Sequence, residues 1–153
     1  MEKVLVTGAT GYIALHCVQQ LLDQGYAVNG SIRSPERKNE VIEALKNSGT
    51  STENLNLFVF DLTNDEGWDD GMEGCDYLLH VASPLALENH TEDYFVKPAV
   101  AGAKRALKFA KKHGVKKVVL TSSVAAIFET GEEKVFYDES DWSDPDNPNI
   151  SNY

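Results

Sequence analysis

VTGATGYIA, residues 6–14, is the stretch whose reading decides the fold. Gly8, Gly11 and Ala14 stand at i, i+3 and i+6, across the end of one apolar run and the start of a helical pattern. Glycine lets the backbone turn tightly and approach a pyrophosphate, while the free N–H groups and dipole of a helix start favour negative charge. Ala14 lets that helix pack closely on a sheet. A plain strand–helix turn also needs a glycine, so the spacing takes its meaning from its surroundings. No Lys-Ser/Thr pair follows the second glycine, which excludes a Walker-type phosphate loop.

Upstream, KVLVT (3–7) is a short apolar run rich in β-branched residues, the pattern of a strand buried on both faces. Downstream, Ala14, Leu15, Cys17, Val18, Leu21 and Leu22 form a broad stripe at helical spacing, closed by Gly25. The alternation continues. YAVNGSI reads as a second strand, PERKNEVIEALKNSG as a polar-faced helix, LNLFVF as a third strand ending at Asp61, and CDYLLHVASP as a fourth. Val96, Val100, Ala103, Leu107 and Ala110 then mark a long helix with Pro98 near its start, and KKVVLTSS is a fifth strand. Residues 124–153 show no sustained period and are dense in Asp, Asn, Ser and Pro, the composition of a long surface excursion. Strands alternating with helices predict an α/β fold, a Rossmann-type doubly wound parallel sheet in the order 3-2-1-4-5, ending in this chain after strand 5. Ligands of such sheets bind at the carboxyl ends of the strands, beside the switch between strands 1 and 4.

The bulk properties narrow the function. With 153 residues, 42% of them hydrophobic, the chain is sized for one domain. A net charge of −10 disfavours nucleic acid and anionic membrane as partners. No signal peptide or span of transmembrane length is read, so a cytoplasmic address is expected. Cys17 and Cys75 match no metal or disulfide pattern, and His16, His80, His90 and His113 have no ligand spacing. No metal is expected. The acidic run Asp138, Glu139, Asp141, Asp144 and Asp146 is interrupted by prolines and lacks the glycine and closing glutamate of a calcium loop, so it reads as solvated.

At the end of strand 2, an acidic residue would bind the ribose of NAD and an arginine would accommodate the 2′-phosphate of NADP. The sequence there is GSIRSPERK, with Arg33 where the strand ends and Arg37 and Lys38 behind it. The guanidinium fork suits a phosphate, so NADP is expected as cofactor in preference to NAD. A solvated basic loop is the plainer alternative.

The Gly-x-x-Gly-x-x-Ala spacing, with DLT (61–63), HVASP (80–84), VKPAVAG (96–102), VVLTSSVAA (118–126) and DESDWSDP (138–145), resembles the extended short-chain dehydrogenases/reductases. Within that branch of the NAD-dependent epimerase/dehydratase superfamily it is similar to the dihydroflavonol reductase-like group, from residue 1 to residue 153. The resemblance implies an oxidoreductase that transfers hydride from NADPH to the carbonyl of a small-molecule substrate, an aldehyde or ketone that can be bulky. It implies cofactor contacts at Gly8, Thr10, Gly11, Tyr12 and Ile13 in the glycine turn and at Arg33. It also implies Asp61 and Leu62 flanking the adenine, and Val81, Ala82 and Ser83 lining the passage to the nicotinamide. Ser123 would hold the substrate carbonyl, and Tyr153 would be the proton donor, with its partner lysine four residues further on, past the last residue of this sequence. A tyrosine near its ordinary pKa of about 10 needs such a cation to cycle near neutrality.

Asn149, Ser151 and Asn152 offer helix caps with no helix after them, and strand 5 would be an exposed sheet edge. The expectation is therefore that residues 1–153 form the NADP-binding domain of a longer reductase, inactive alone and prone to self-association through the sheet edge or the long helix. Two rivals stay open at this point. A sugar-nucleotide epimerase or dehydratase would use the same loop and Ser/Tyr pair, and a non-catalytic NADP-binding sensor or scaffold would be stable as it stands.

Overall fold

Five strands carry the molecule: β1 (Lys3–Val6), β2 (Ala27–Ile32), β3 (Leu55–Val59), β4 (Tyr77–His80) and β5 (Lys117–Leu120). Between them run α1 (Tyr12–Asp23), α2 (Lys38–Asn47), the short α3 (Trp68–Met72) and the long α4 (Glu92–Lys112), with α5 (Ala125–Phe128) after β5. The computed structural model describes residues 1–84, 92–128 and 134–147. All pairings are parallel and the sheet order is β3-β2-β1-β4-β5, the order the alternation predicts. The chain divides into two compact units, Met1–Leu120 and Thr121–Tyr153.

In the first unit, β1 separates two apolar layers. Val4 and Val6 join Val28, Ile32, Ala14 and Val18, together with Val41 and Leu45 of α2, on one face. Leu5 points the other way, into a layer with Leu78, Phe60, Trp68, Met72, Ala106 and Phe109. This is the period-2 alternation of a strand covered on both sides. Gly25, with φ +85°, closes α1, as its position in the sequence suggests.

Two short helices, α3 and α5, lie outside the sequence reading. Helix α3 falls in a stretch without visible period; it is five residues long, and yet its Trp68 is fully buried. In α4 the buried face is offset from the apolar stripe and shares only Ala110 with it. Val96, Val100 and Leu107 are exposed, and the buried face runs through Gly102, Ala106, Phe109 and Ala110. At 100° per residue that face lies about a quarter turn from the apolar stripe. Small side chains let the helix approach: a Cβ at Gly102 would lie 3.2 Å from Leu62 Cβ. Basic residues of α4 and the residue after it reach acidic partners in and before α3, with Lys108 on Asp65 and Lys112 and His113 on Asp69.

The described residues of the second unit are irregular apart from α5. Ser143 bonds back to the main chain of Ala125 and Ala126, and Lys134 pairs with Asp141. No helix among the described residues is long and apolar enough to cross a membrane.

Candidate functional site

The turn after β1 is held from three directions. Gly8 adopts φ +74°, a conformation that favours glycine, and a Cβ there would lie 3.0 Å from the Cβ of Ala82. Its N–H donates to Ser31 Oγ at 2.8 Å, the Ala9 N–H to the Ser31 carbonyl at 2.8 Å, and the Gly11 N–H to the Gly8 carbonyl at 2.8 Å. Gly11 is the N-cap of α1, and no side chain caps the helix. The N–H groups of its first turn have no acceptor within the helix and point out of its start. That is the arrangement an anion would complete.

Thr7 joins this turn to β4. Its fully buried hydroxyl oxygen accepts from the N–H groups of Val81 and Ala82, each at 3.0 Å, and lies 3.0 Å from His80 Nδ1. Two donors occupy both lone pairs, so the single hydroxyl hydrogen goes to the histidine. Nδ1 must then be unprotonated, which assigns a neutral ring carrying its proton on Nε2. Burial lowers the His80 pKa below 6.5, in keeping with that state. One hydroxyl thereby fixes the backbone of Val81 and Ala82 against the glycine turn.

The loop after β3 forms the opposite wall. Asp61 Oδ1 accepts from the hydroxyl and the N–H of Thr63, at 2.6 and 2.8 Å. The Thr63 hydroxyl first, then its N–H and the nearby Arg33 and Arg105, hold the Asp61 carboxyl below the usual range. Behind it the Trp68 indole N–H donates to the Asp61 carbonyl at 2.9 Å, and Arg105 donates to the Leu62 carbonyl and to Asp65. Trp68 is itself stacked on Phe109 at a ring separation of 5.7 Å. Core packing thus sets where the Asp61–Leu62 edge stands.

Arg33 leaves the end of β2 with its side chain 67% exposed and Nε 3.9 Å from Asp61 Oδ2, too far for a hydrogen bond. Arg37 is differently engaged: its Nε and Nη2 donate to the Glu40 carboxylate at 2.8–3.1 Å.

These pieces enclose one cleft of about 590 Å³ at the carboxyl ends of β1, β2, β3 and β4. Its walls contain every cofactor-contact candidate of the sequence: Gly8, Thr10, Gly11, Tyr12, Ile13, Arg33, Asp61, Leu62, Val81, Ala82 and Ser83. Ser31 and Arg37 also line it. Thr7, His80, Trp68 and Arg105 are not among those candidates. A buried polar side chain at a strand end requires a partner, and Thr7 and His80, each ending an apolar run, carried that signal. Trp68 and Arg105 act through tertiary contacts no local pattern displays.

Ser123 lies in the second unit, its hydroxyl accepting the Ala125 N–H at 3.2 Å at the start of α5. Tyr153 lies outside the described residues, as do Asn149, Ser151, Asn152 and His90. Asp138 binds Ser140, and Asp141 binds Lys134, within local turns. Among the described residues no cluster could hold a metal ion.

The model of the NAD dependent epimerase/dehydratase family matches residues 4–153. Dihydroflavonol 4-reductase of Solanum lycopersicum is 37% identical over 145 residues, which are 94% of this chain and 38% of the relative. Vestitone reductase of Medicago sativa is 39% identical over 147 residues, 94% of this chain and 45% of the relative. Among solved structures, yeast methylglyoxal/isovaleraldehyde reductase Gre2 complexed with NADPH superposes with a TM-score of 0.81 at 32% identity, covering 97% of this chain and 45% of that one. The crystal structure of the alfalfa vestitone reductase gives a TM-score of 0.78 at 35% identity, over 94% of this chain and 43% of that one. The chain spans about two fifths of the length of these curated relatives.

Proposed function

This chain belongs to the NAD dependent epimerase/dehydratase family, and from that premise we propose that residues 1–153 form the NADP-binding domain of a carbonyl reductase. The observation that carries the reading is the cleft, where an uncapped helix start, a glycine turn and an exposed arginine converge. Its residues fit a dinucleotide. Side-chain bulk is absent at Gly8, the volume is that of a small-molecule site, and positive groups stand at one end. Bound there, NADPH would supply the hydride.

The chain's own residues have distinct tasks in this reading. Thr10, Tyr12 and Ile13 offer backbone N–H groups to the pyrophosphate at the α1 start, while Gly8 and Gly11, whose own N–H groups are held by Ser31 and the Gly8 carbonyl, let the backbone approach it. Arg33 meets the ribose 2′-phosphate with its planar fork. Asp61 and Leu62 flank the adenine, with Asp61 Oδ2 free of the Thr63 hydrogen bonds that occupy Oδ1. Val81, Ala82 and Ser83 line the way to the nicotinamide, braced by Thr7. Ser123 holds the oxygen of an aldehyde or ketone without titrating, and Tyr153 delivers the proton that the developing alkoxide needs. The names of the relatives, reductases of dihydroflavonols, vestitone and methylglyoxal, support a small carbonyl compound as substrate. The exposed edge strand β5 and the outer face of α4 support self-association, readable by sedimentation at rising concentration.

Titration with reduced cofactors tests the reading. NADPH should bind more tightly than NADH, and Arg33→Ala should remove most of the difference while sparing NADH. Equal affinity for both, unchanged in Arg33→Ala, would sink it.

A further inference from the structure

Two arginines line the end of the cleft assigned above to the 2′-phosphate, and they are not equally available. Arg33 meets its carboxylate, Asp61, only at 3.9 Å, whereas Arg37 makes three hydrogen bonds of 2.8–3.1 Å to Glu40. The Arg37–Glu40 pair spans the junction of the 3-10 turn Pro35–Arg37 with α2 and is solvent-exposed on both sides. Nothing in the core requires it: neither residue is buried, and the helix rests on Val41 and Leu45. Its evident effect is to cancel the charge of Arg37 and aim two of the fork's nitrogens along the helix.

We propose that Glu40 is a specificity-determining residue that limits affinity for the 2′-phosphate by holding Arg37 away from it. The proposal rests on the NADP reading of the cleft. A phosphate dianion and the Glu40 carboxylate compete for the same guanidinium N–H groups, and the two anions also repel each other. A ligand without the 2′-phosphate places no charge there and is indifferent to the pair. Exposed pairs of this kind are weak, so the expected change is small but selective, about threefold. Because both charges face solvent, it should shrink with added salt.

The experiment uses 2′,5′-ADP and 5′-AMP as probes, titrated by NMR into the full chain and into Glu40→Gln, Arg37→Ala and the double variant. Glu40→Gln should bind 2′,5′-ADP about threefold more tightly than the unsubstituted chain, with 5′-AMP unchanged. The gain should be absent when Arg37 is also replaced. An unchanged or weakened affinity of Glu40→Gln for 2′,5′-ADP overturns the proposal, as does an equal gain for both probes or a gain that persists without Arg37. Failure of the NADP reading itself looks different: the unsubstituted chain would not prefer 2′,5′-ADP to 5′-AMP, and Arg33→Ala would not alter the ratio.

Discussion

Lys-Val-Leu-Val of β1 and Lys-Val-Val-Leu of β5 are the same four residues in nearly the same order, yet they end in different surroundings. Val4, Leu5 and Val6 of β1 are 2%, 0% and 0% exposed, while Val119 and Leu120 of β5 are 49% and 50% exposed. Strand β1 lies in the middle of the sheet, paired with β2 and β4; β5 lies at its edge, paired among the described residues with β4 alone. Local composition makes each a strand, and position in the ladder decides what the strand can do. The central one is immobilised from both faces, and the glycine turn that follows it inherits that rigidity.

The largest difference between the two should appear in stability. Leu5→Ala, opening a cavity in a sealed layer, should cost about 2–5 kcal/mol. Val119→Ala should fall within about 0.5 kcal/mol of the unsubstituted chain. Urea denaturation reads both, and equal costs would erase the distinction. Next comes the brace between β1 and β4. Thr7→Val keeps the shape but strips the acceptor from the Val81 and Ala82 N–H groups, at about 1–3 kcal/mol. It should also weaken dinucleotide binding, and an intact affinity would show that Thr7 does not position the Val81–Ala82 wall.

A smaller effect concerns pH. Burial depresses the His80 pKa below its unfolded value of 6.5, so the unfolded chain takes up a proton the folded chain resists. The stability contributed by the neutral ring is therefore fully present above pH 6.5 and is lost as pH falls below it. The fall between pH 7 and 5.5 should be shallower in His80→Asn, and identical slopes would contradict a buried ring held neutral. The smallest effect is chemical: Cys75, buried and with its thiol raised to about 11 by burial, should react with a thiol reagent far more slowly than the half-buried Cys17.

How much of this was legible follows the same division. The five strands, three of the helices and all the cleft residues named in advance lie where chain-local signals are strong: apolar runs, helical stripes and glycine spacing. Helix α3 escaped because five residues cannot show a period, although its Trp68 is a keystone of one core layer. Which face α4 buries was not legible, because two faces of that helix are apolar. Gly102 and Ala106 were chosen for burial by the fit against Leu62 and its neighbours, a tertiary fact. The brace by Thr7 pairs residues more than seventy positions apart, and only the fold brings them together.

The most direct test is to add NADPH to isotope-labelled protein and follow the backbone amide resonances. The account predicts shifts confined to the carboxyl ends of β1 to β4: Gly8 to Ala14, Arg33, Asp61 and Leu62, and Val81 to Ser83, with Lys117–Leu120 of β5 unmoved. Shifts centred on β5, or the absence of any in the glycine turn at millimolar NADPH, would contradict it.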